Sequence, residues 1–136
     1  MHHLLFHPWS VLVSGVFLWL LGAVWYSPVT FAKPWMAMLK IERDPNKRGS
    51  IFFAMVASFV GDLLTAFVVA HLIGWSHART LGWGALVGFI AWLGFFAAPS
   101  FPQGLYERRP FGLFLINNGY WLVGLVAVGA LLAVWR

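Results

Sequence analysis

The chain has 136 residues, of which 61% are hydrophobic and only 10% charged, with a net charge of +5. Soluble domains carry about 45–50% apolar and about 25% charged residues, so this composition excludes an ordinary water-soluble globular protein. The 18% share of aromatic residues also excludes a disordered chain, which leaves an integral membrane protein as the class that fits.

Four stretches of the chain are long and apolar enough to cross a bilayer, which takes about 20 residues in helical conformation. The predicted spans cover residues 9–25, 51–73, 81–98 and 111–134. Pro99 and Pro102 are predicted to end the third span, and Pro110 suits the first turn of the fourth. We therefore expect an all-α, four-transmembrane-helix bundle that forms a single membrane domain over residues 1–136.

The segment between the first two spans contains a short aromatic and basic stretch from Lys33 to Lys40, with Trp35 near its middle. This pattern indicates either a short interfacial helix on the cytoplasmic surface of the membrane or a loop folded back on the bundle. The two interpretations stay open at the level of the sequence.

The distribution of Lys and Arg predicts the orientation of the spans, because cytoplasmic loops carry an excess of these residues. Two of the nine, Arg79 and Arg136, fall on one side. The other seven fall on the opposite side: Lys33, Lys40, Arg43, Lys47, Arg48, Arg108 and Arg109. We therefore expect both termini on the non-cytoplasmic side of a bacterial inner membrane. Basic residues beside spans favour membrane lipids as partners and argue against nucleic acid.

The first and third spans share residues at a spacing of 73 positions, which suggests an internal duplication. The matching pairs are Gly15 with Gly88, Trp19 with Trp92, Leu20 with Leu93, and Ser27 with Ser100. Each set is followed by a Pro-containing stretch, a basic pair and another span. The pattern predicts two helical hairpins in the same orientation, as in a parallel repeat.

Two motifs carry a resemblance to a known family. The first runs over Gly22–Pro28 with the following Phe31–Trp35, and the second over Arg109–Tyr120. With these motifs the chain resembles an uncharacterised bacterial membrane family, the domain of unknown function 1761, over about Gly15 to Trp135. The resemblance implies a small bacterial four-helix membrane protein and assigns no catalytic residue, substrate or cofactor. Asp62 and the His-rich N-terminus are not part of it.

An acidic residue, Asp62, lies near the middle of the second predicted span, where insertion costs about 2.5–3.5 kcal/mol. Ser58, Asp62 and Thr65 are spaced i, i+4 and i+7, so they form one polar stripe. The expected partners on the fourth span are Asn117, Asn118 and Tyr120. The carboxyl group is interpreted either as a proton- or cation-coupling site, or as a neutral, hydrogen-bonded acid that joins two helices or contacts another subunit.

Small residues predict where helices approach closely. Ala54, Ala57 and Gly61 adjoin the polar stripe of the second span, and Gly84 and Gly88 form a Gly-x-x-x-Gly motif in the third. The same device serves contacts within one bundle and contacts in a homo-oligomer.

The N-terminal histidines suggest a metal site on the non-cytoplasmic side. His3, together with a free amino group, matches a square-planar Cu(II) or Ni(II) site in which His2 also takes part. His71 or His77 is an alternative further ligand. The competing interpretation is interfacial histidines bonded to backbone or headgroups. No cofactor is required by the sequence, and lipid or pigment contacts remain open.

No nucleophile–base pair, carboxylate dyad or metal-hydrolase motif occurs in the sequence, so an enzyme is not expected. The first functional hypothesis is a structural or accessory subunit that packs against other membrane subunits. The second is a small proton- or cation-coupled transporter or channel that works as a homo-oligomer around Asp62. The third is a metal-binding membrane protein that uses its N-terminal histidines.

Overall fold

The computed structural model describes residues 7–27, 30–39 and 48–135, and these residues contain helices but no strand. In chain order the helices are α1 (Pro8–Trp25), α2 (Ala32–Leu39), α3 (Arg48–Ser76), α4 (Leu81–Trp92), α5 (Ala98–Tyr106) and α6 (Phe111–Val134). A π-helical turn over Leu93–Ala97 joins α4 to α5. Four helical segments are long and apolar enough to cross a membrane, so the predicted all-α fold with four candidate spans is confirmed.

The third span is longer than predicted, because the two prolines do not end it. The helical segment is continuous from Leu81 to Tyr106. In the π-helical turn the Ala98 N–H bonds to the Leu93 carbonyl, five residues earlier. Pro99 follows directly on this wider turn, which relieves the clash that a proline ring makes with the preceding turn of a regular helix. The π-helical turn thus accommodates Pro99, which would otherwise end the helix.

The basic stretch after the first span forms a helix, α2, that also lies against the bundle. Its Ala32 is buried, and its Trp35 side chain bonds to Asn117 on α6. A Cβ added to Gly112 would lie 3.0 Å from the Met38 sulfur, so the end of α2 sits close to the start of α6. The segment is therefore a short helix, as in the first interpretation, and it is folded back on the bundle, as in the second.

The central helix of the bundle is α6, which contacts each of the other five helices. The strongest pairings are α1 with α3 and α4 with α6, and these are the two predicted hairpins. Residues from α1, α3 and α6 form the shared core, among them Leu18, Val69, Ile73, Leu125, Val128 and Leu132.

The two hairpins use the same interhelical hydrogen bond. In the first, the Trp19 indole N–H donates to the Met55 carbonyl at 3.1 Å. In the second, the Trp92 indole N–H donates to the Asn118 carbonyl at 2.8 Å. The two tryptophans are 73 positions apart, and so are the first residues of α1 and α4. The two acceptors are 63 positions apart, and so are the first residues of α3 and α6.

The close approach of helices follows the same two spacings. A Cβ added to Gly15 would lie 3.1 Å from the Leu63 Cα, and one added to Gly88 would lie 3.1 Å from the Val126 Cα. These shared contacts are what the predicted parallel repeat requires.

The small residues of the two hairpins differ in what they face. Gly84 and Gly88 pack directly against the α6 backbone, at Gly129 and Leu125, where no Cβ would fit. The three small residues predicted to pack on α3, Ala54, Ala57 and Gly61, are exposed and do not pack within the described bundle. The reason is the rotation of α3, since the contacts of Met55 and Leu63 with α1 turn these three residues outward.

Candidate functional site

Aromatic and polar side chains meet at the end of the bundle where α1 ends and α6 begins. We define this motif cluster as Trp25, Tyr26, Trp35, Asn117 and Tyr120. The Trp25 indole donates to the Ile116 carbonyl at 2.9 Å. Tyr26 and Trp35 both donate to the Asn117 Oδ1 atom, at 2.7 and 3.1 Å. The two motifs that carry the family resemblance are thus in direct contact.

The Asn117 amide has one orientation, because its oxygen accepts two hydrogen bonds from groups that only donate here. Burial raises the pKa of Tyr26 to about 12, so its hydroxyl keeps its proton at neutral pH. The Tyr26–Asn117 bond is therefore present over the whole physiological range of pH.

A tight reversal after α1 brings Trp35 to this cluster. The Thr30 hydroxyl bonds to the Val24 and Trp25 carbonyls, which α1 leaves without helical partners at its end. The Phe31 N–H also bonds to the Trp25 carbonyl at 3.1 Å, and the rings of Phe31 and Trp25 lie 4.9 Å apart. The chain then enters α2, whose first turn carries Trp35 back towards α6.

Tyr120 connects the motif cluster with the buried carboxyl group of Asp62. Its hydroxyl donates to the Leu18 carbonyl at 2.7 Å, and its ring lies 5.9 Å from that of Tyr26. The Asp62 carboxyl is a neighbour of the same hydroxyl, and Asp62 and Tyr120 are both buried. Because the single phenolic proton is used by Leu18, the phenolic oxygen can accept a hydrogen bond from Asp62 in its neutral form.

The predicted polar stripe on α3 is divided in the structure. Asp62 faces the bundle interior, whereas Ser58 is exposed. Thr65 is half-buried, and its hydroxyl donates to the Gly61 carbonyl within its own helix at 2.9 Å. The three side chains therefore have different surroundings within the described bundle.

The two adjacent asparagines of α6 have separate partners. Asn117 belongs to the motif cluster, while the Asn118 amide donates to the Phe114 carbonyl at 3.2 Å. The main-chain carbonyl of Asn118 accepts the Trp92 bond of the second hairpin. Of the partners predicted for Asp62, the structure brings Tyr120 to it.

The predicted metal ligands His2 and His3 lie outside the described residues, so the metal site stays a prediction. His7 accepts a hydrogen bond from the Trp9 N–H at 3.2 Å, and His71 pairs with the Phe67 carbonyl at 2.8 Å. Within the described ranges no group of three or more His, Cys, Asp or Glu side chains is suited to hold a metal ion.

Sequence reasoning did not include Trp25, Tyr26 or Trp35 among the site residues. Their positions in the first family motif were the available sign, because all three stand in segments that the resemblance singles out. Their partners, Ile116 and Asn117, are 82 to 91 positions away along the chain, so only the folded structure reveals the contacts.

Comparison with protein families gives one match, to a family described as a protein of unknown function (DUF1761), over residues 9–133. No curated protein and no solved structure matches the chain. The matched region includes the whole motif cluster and Asp62.

Proposed function

The chain belongs to the DUF1761 family, and from that premise and the site geometry we propose that it is a non-enzymatic accessory subunit of a larger membrane complex. The proposal includes a bacterial inner membrane and both termini on its non-cytoplasmic side. It is supported by the hydrogen bonds of the described polar side chains, since Trp25, Tyr26 and Tyr120 all donate to residues on a different helix. Such bonds hold a scaffold in one conformation.

The observation that carries the proposal is the open face of α3. In the most apolar 18-residue stretch of α3 only 11% of the residues are buried, compared with 39% in the corresponding stretch of α6. A Cβ added to Gly61 would meet nothing within 4 Å, and Ala57 beside it is exposed. Ser58 adds an exposed hydroxyl with no partner on another described residue, and such hydroxyls join helices in membranes. This face is suited to a helix of another subunit.

Mild extraction of the native complex tests the accessory role. We expect foreign subunits to co-purify in fixed stoichiometry with the natural chain, and Gly61→Leu to lose them because the larger side chain blocks close approach. Gly94→Leu is the matched control, because Gly94 also has open space around it and lies on another span. A homo-oligomer without foreign subunits, or a Gly61→Leu variant that keeps its partners, contradicts the proposal.

A second candidate function is a small proton- or cation-coupled transporter or channel, working as a homo-oligomer. It is favoured by Asp62, because carboxyl groups inside a membrane are commonly functional. Asp62 is the fifteenth residue of α3, and the fifteenth residue of α6 is the buried Leu125. The equivalent position of the other hairpin thus holds an apolar side chain, so helix packing by itself does not require an acidic residue at position 62.

Flux measurements in vesicles test the second function. Asp62→Asn keeps the size and hydrogen-bonding capacity of the side chain but cannot release a proton, so we expect it to abolish a pH-dependent flux. Ser58→Ala is the control on the exposed side of the same helix. Equal flux in the natural chain and Asp62→Asn, or no flux in either, removes this candidate.

A further inference from the structure

A cavity of about 350 Å³ opens between α5 and the first two turns of α6. Its apolar wall includes Phe101, whose ring meets Phe111 and Phe114 edge-on, with centroids 6.1 and 5.5 Å apart. Ligand pockets in proteins commonly measure about 300–1,000 Å³, so the cavity has room for a small molecule or a headgroup. Neither of the proposed functions uses it.

The mouth of the cavity carries a cation that is already oriented. The Arg109 Nε lies 2.7 Å from one oxygen of Glu107, and Gln103 donates to the other oxygen at 3.1 Å. Each carboxylate oxygen of Glu107 therefore already has a hydrogen-bond donor. Because Arg109 makes this contact through Nε, its two terminal amino groups can donate to another acceptor. The side chain of Arg109 is 51% exposed, so these donors are accessible to an anion.

A second donor lies at the inner end of the cavity, on Asn117. Its Oδ1 atom is held by Tyr26 and Trp35, so its amino group is the part left for another acceptor. No hydrogen bond joins that amino group to another residue in the described ranges. Asn117 is six residues beyond Phe111, which corresponds to about 9 Å along a helix. The cavity thus has at its mouth an ion pair with exposed guanidinium donors and, deeper inside, a neutral donor, with aromatic rings between them.

We propose that this cavity binds the head of an anionic phospholipid. The phosphate is held at Arg109, an acyl-ester carbonyl accepts from the Asn117 amino group, and the acyl chains leave over the exposed rings of Phe101 and Phe111. In such a lipid the ester groups lie deeper in the membrane than the phosphate. In the protein, Asn117 likewise lies farther into the span than Arg109.

The surroundings of the cavity favour an anionic lipid over a soluble ligand. Lys33, Arg108 and Arg109 give this end of the described bundle a positive charge, which attracts anionic headgroups. The first turn of α6 has no side-chain cap, so the positive end of its dipole adds to the attraction for an anion, although the Leu113 N–H is bonded to the Pro110 carbonyl. Leu105 lines the cavity and is itself exposed, so the cavity is continuous with the apolar outside of the spans.

Native mass spectrometry of the full chain in detergent, titrated with defined lipids, tests the proposal. We expect phosphatidylglycerol to remain bound while phosphatidylcholine, which has no net charge, dissociates at the same activation energy. Soluble glycerol 3-phosphate is added as a competitor and should not displace the bound lipid, because it has neither ester carbonyls nor acyl chains.

Two pairs of variants locate the site. Gly104→Leu should abolish binding, because Gly104 lines the cavity and a side chain there enters open space; Gly82→Leu, at an equally open glycine outside the cavity, should bind normally. Arg109→Asn should weaken binding about tenfold through the loss of a charge-assisted hydrogen bond. Arg108→Asn removes a neighbouring charge at a left-handed residue that Asn tolerates but leaves the direct contact in place, so it should weaken binding clearly less than Arg109→Asn.

Three results would overturn the proposal. They are equal binding of the two lipids, equal effects of Arg109→Asn and Arg108→Asn, and displacement of the lipid by glycerol 3-phosphate. The last result would assign the cavity to a soluble phosphate ester. Circular dichroism of Gly104→Leu establishes that the helices are intact, and Arg109→Asn, at an exposed side chain, tests the site independently of that variant.

Discussion

Ring side chains that donate to main-chain carbonyls are the main polar links between the described helices. Trp25 and Trp92 bond to carbonyls of α6, while Tyr120 of α6 bonds to the Leu18 carbonyl of α1. A helical carbonyl has two lone pairs, so it accepts such a bond without losing its bond within the helix. In an apolar environment a donor without a partner is costly, which makes each of these bonds a specific constraint on helix position.

Asn117→Leu tests the importance of one acceptor that serves two rings. The change leaves the Tyr26 hydroxyl and the Trp35 indole without their partner, and we expect the free energy of unfolding to fall by about 2 kcal/mol, at about 1 kcal/mol for each donor. The measurement is unfolding in mixed micelles followed by circular dichroism.

Gln103→Leu provides the control for that measurement. Gln103 is an exposed amide that bonds only within its own helix, so its loss should change stability by no more than about 0.5 kcal/mol. Similar stability of the two variants would mean that the motif cluster does not hold α2 and α1 to α6.

At the scale of helices, the two hairpins share a plan but differ in tightness. Gly84 and Gly88 allow α4 to approach the backbone of α6, while the atom that a Cβ at Gly15 of α1 would meet first is the Leu63 side chain of α3, at 2.5 Å, with the Leu63 Cα farther away at 3.1 Å. Backbone contact leaves no room for adjustment, whereas a Leu side chain can change its rotamer. The second hairpin is therefore expected to be the rigid half of the bundle.

Substitution of glycines on the third span tests this difference. Gly88→Val places a branched side chain against the Leu125 carbonyl, and we expect a loss of more than about 3 kcal/mol because backbone must move. Gly94→Val makes the same change where nothing lies within 4 Å, so it should be close to neutral. Equal thermal stability of the two variants in detergent would contradict the tight packing of α4 on α6.

At the scale of the whole molecule, the exterior is apolar along the spans and polar at the ends. Exposed large side chains such as Phe53, Leu64 and Phe95 lie within the spans, where lipid contacts them if the protein is embedded. Charged side chains lie at the helix ends, with Arg108 and Arg109 at one end and Arg79 at the other. The unequal charge of the two ends is the basis for the proposed orientation.

Labelling of introduced cysteines tests that orientation, because the natural chain has no Cys. In intact spheroplasts a membrane-impermeant maleimide should label Arg79→Cys, on the side with few positive charges. Tyr106→Cys, at a residue that is 89% exposed, should react only after the membrane is opened. The reverse pattern, or labelling of both in intact spheroplasts, contradicts the orientation.

The number of spans and most of their limits follow from local features of the sequence. The fourth span was predicted at residues 111–134, and α6 occupies Phe111–Val134. Such limits are local properties, because apolar length and a neighbouring proline act on the segment that contains them. The third span is the exception, since the π-helical turn that accommodates Pro99 has no simple pattern in the sequence.

Which face of each helix is buried depends on how the helices pack against one another. The spans are apolar on all sides, so hydrophobic periodicity does not distinguish an inner from an outer face. Contacts with α1 turn Asp62 towards Tyr120 and leave Gly61 at the surface, and the reversal after α1 brings Trp35 to Asn117. These are properties of packing between distant segments, and packing fixes the rotation of a helix that composition leaves free.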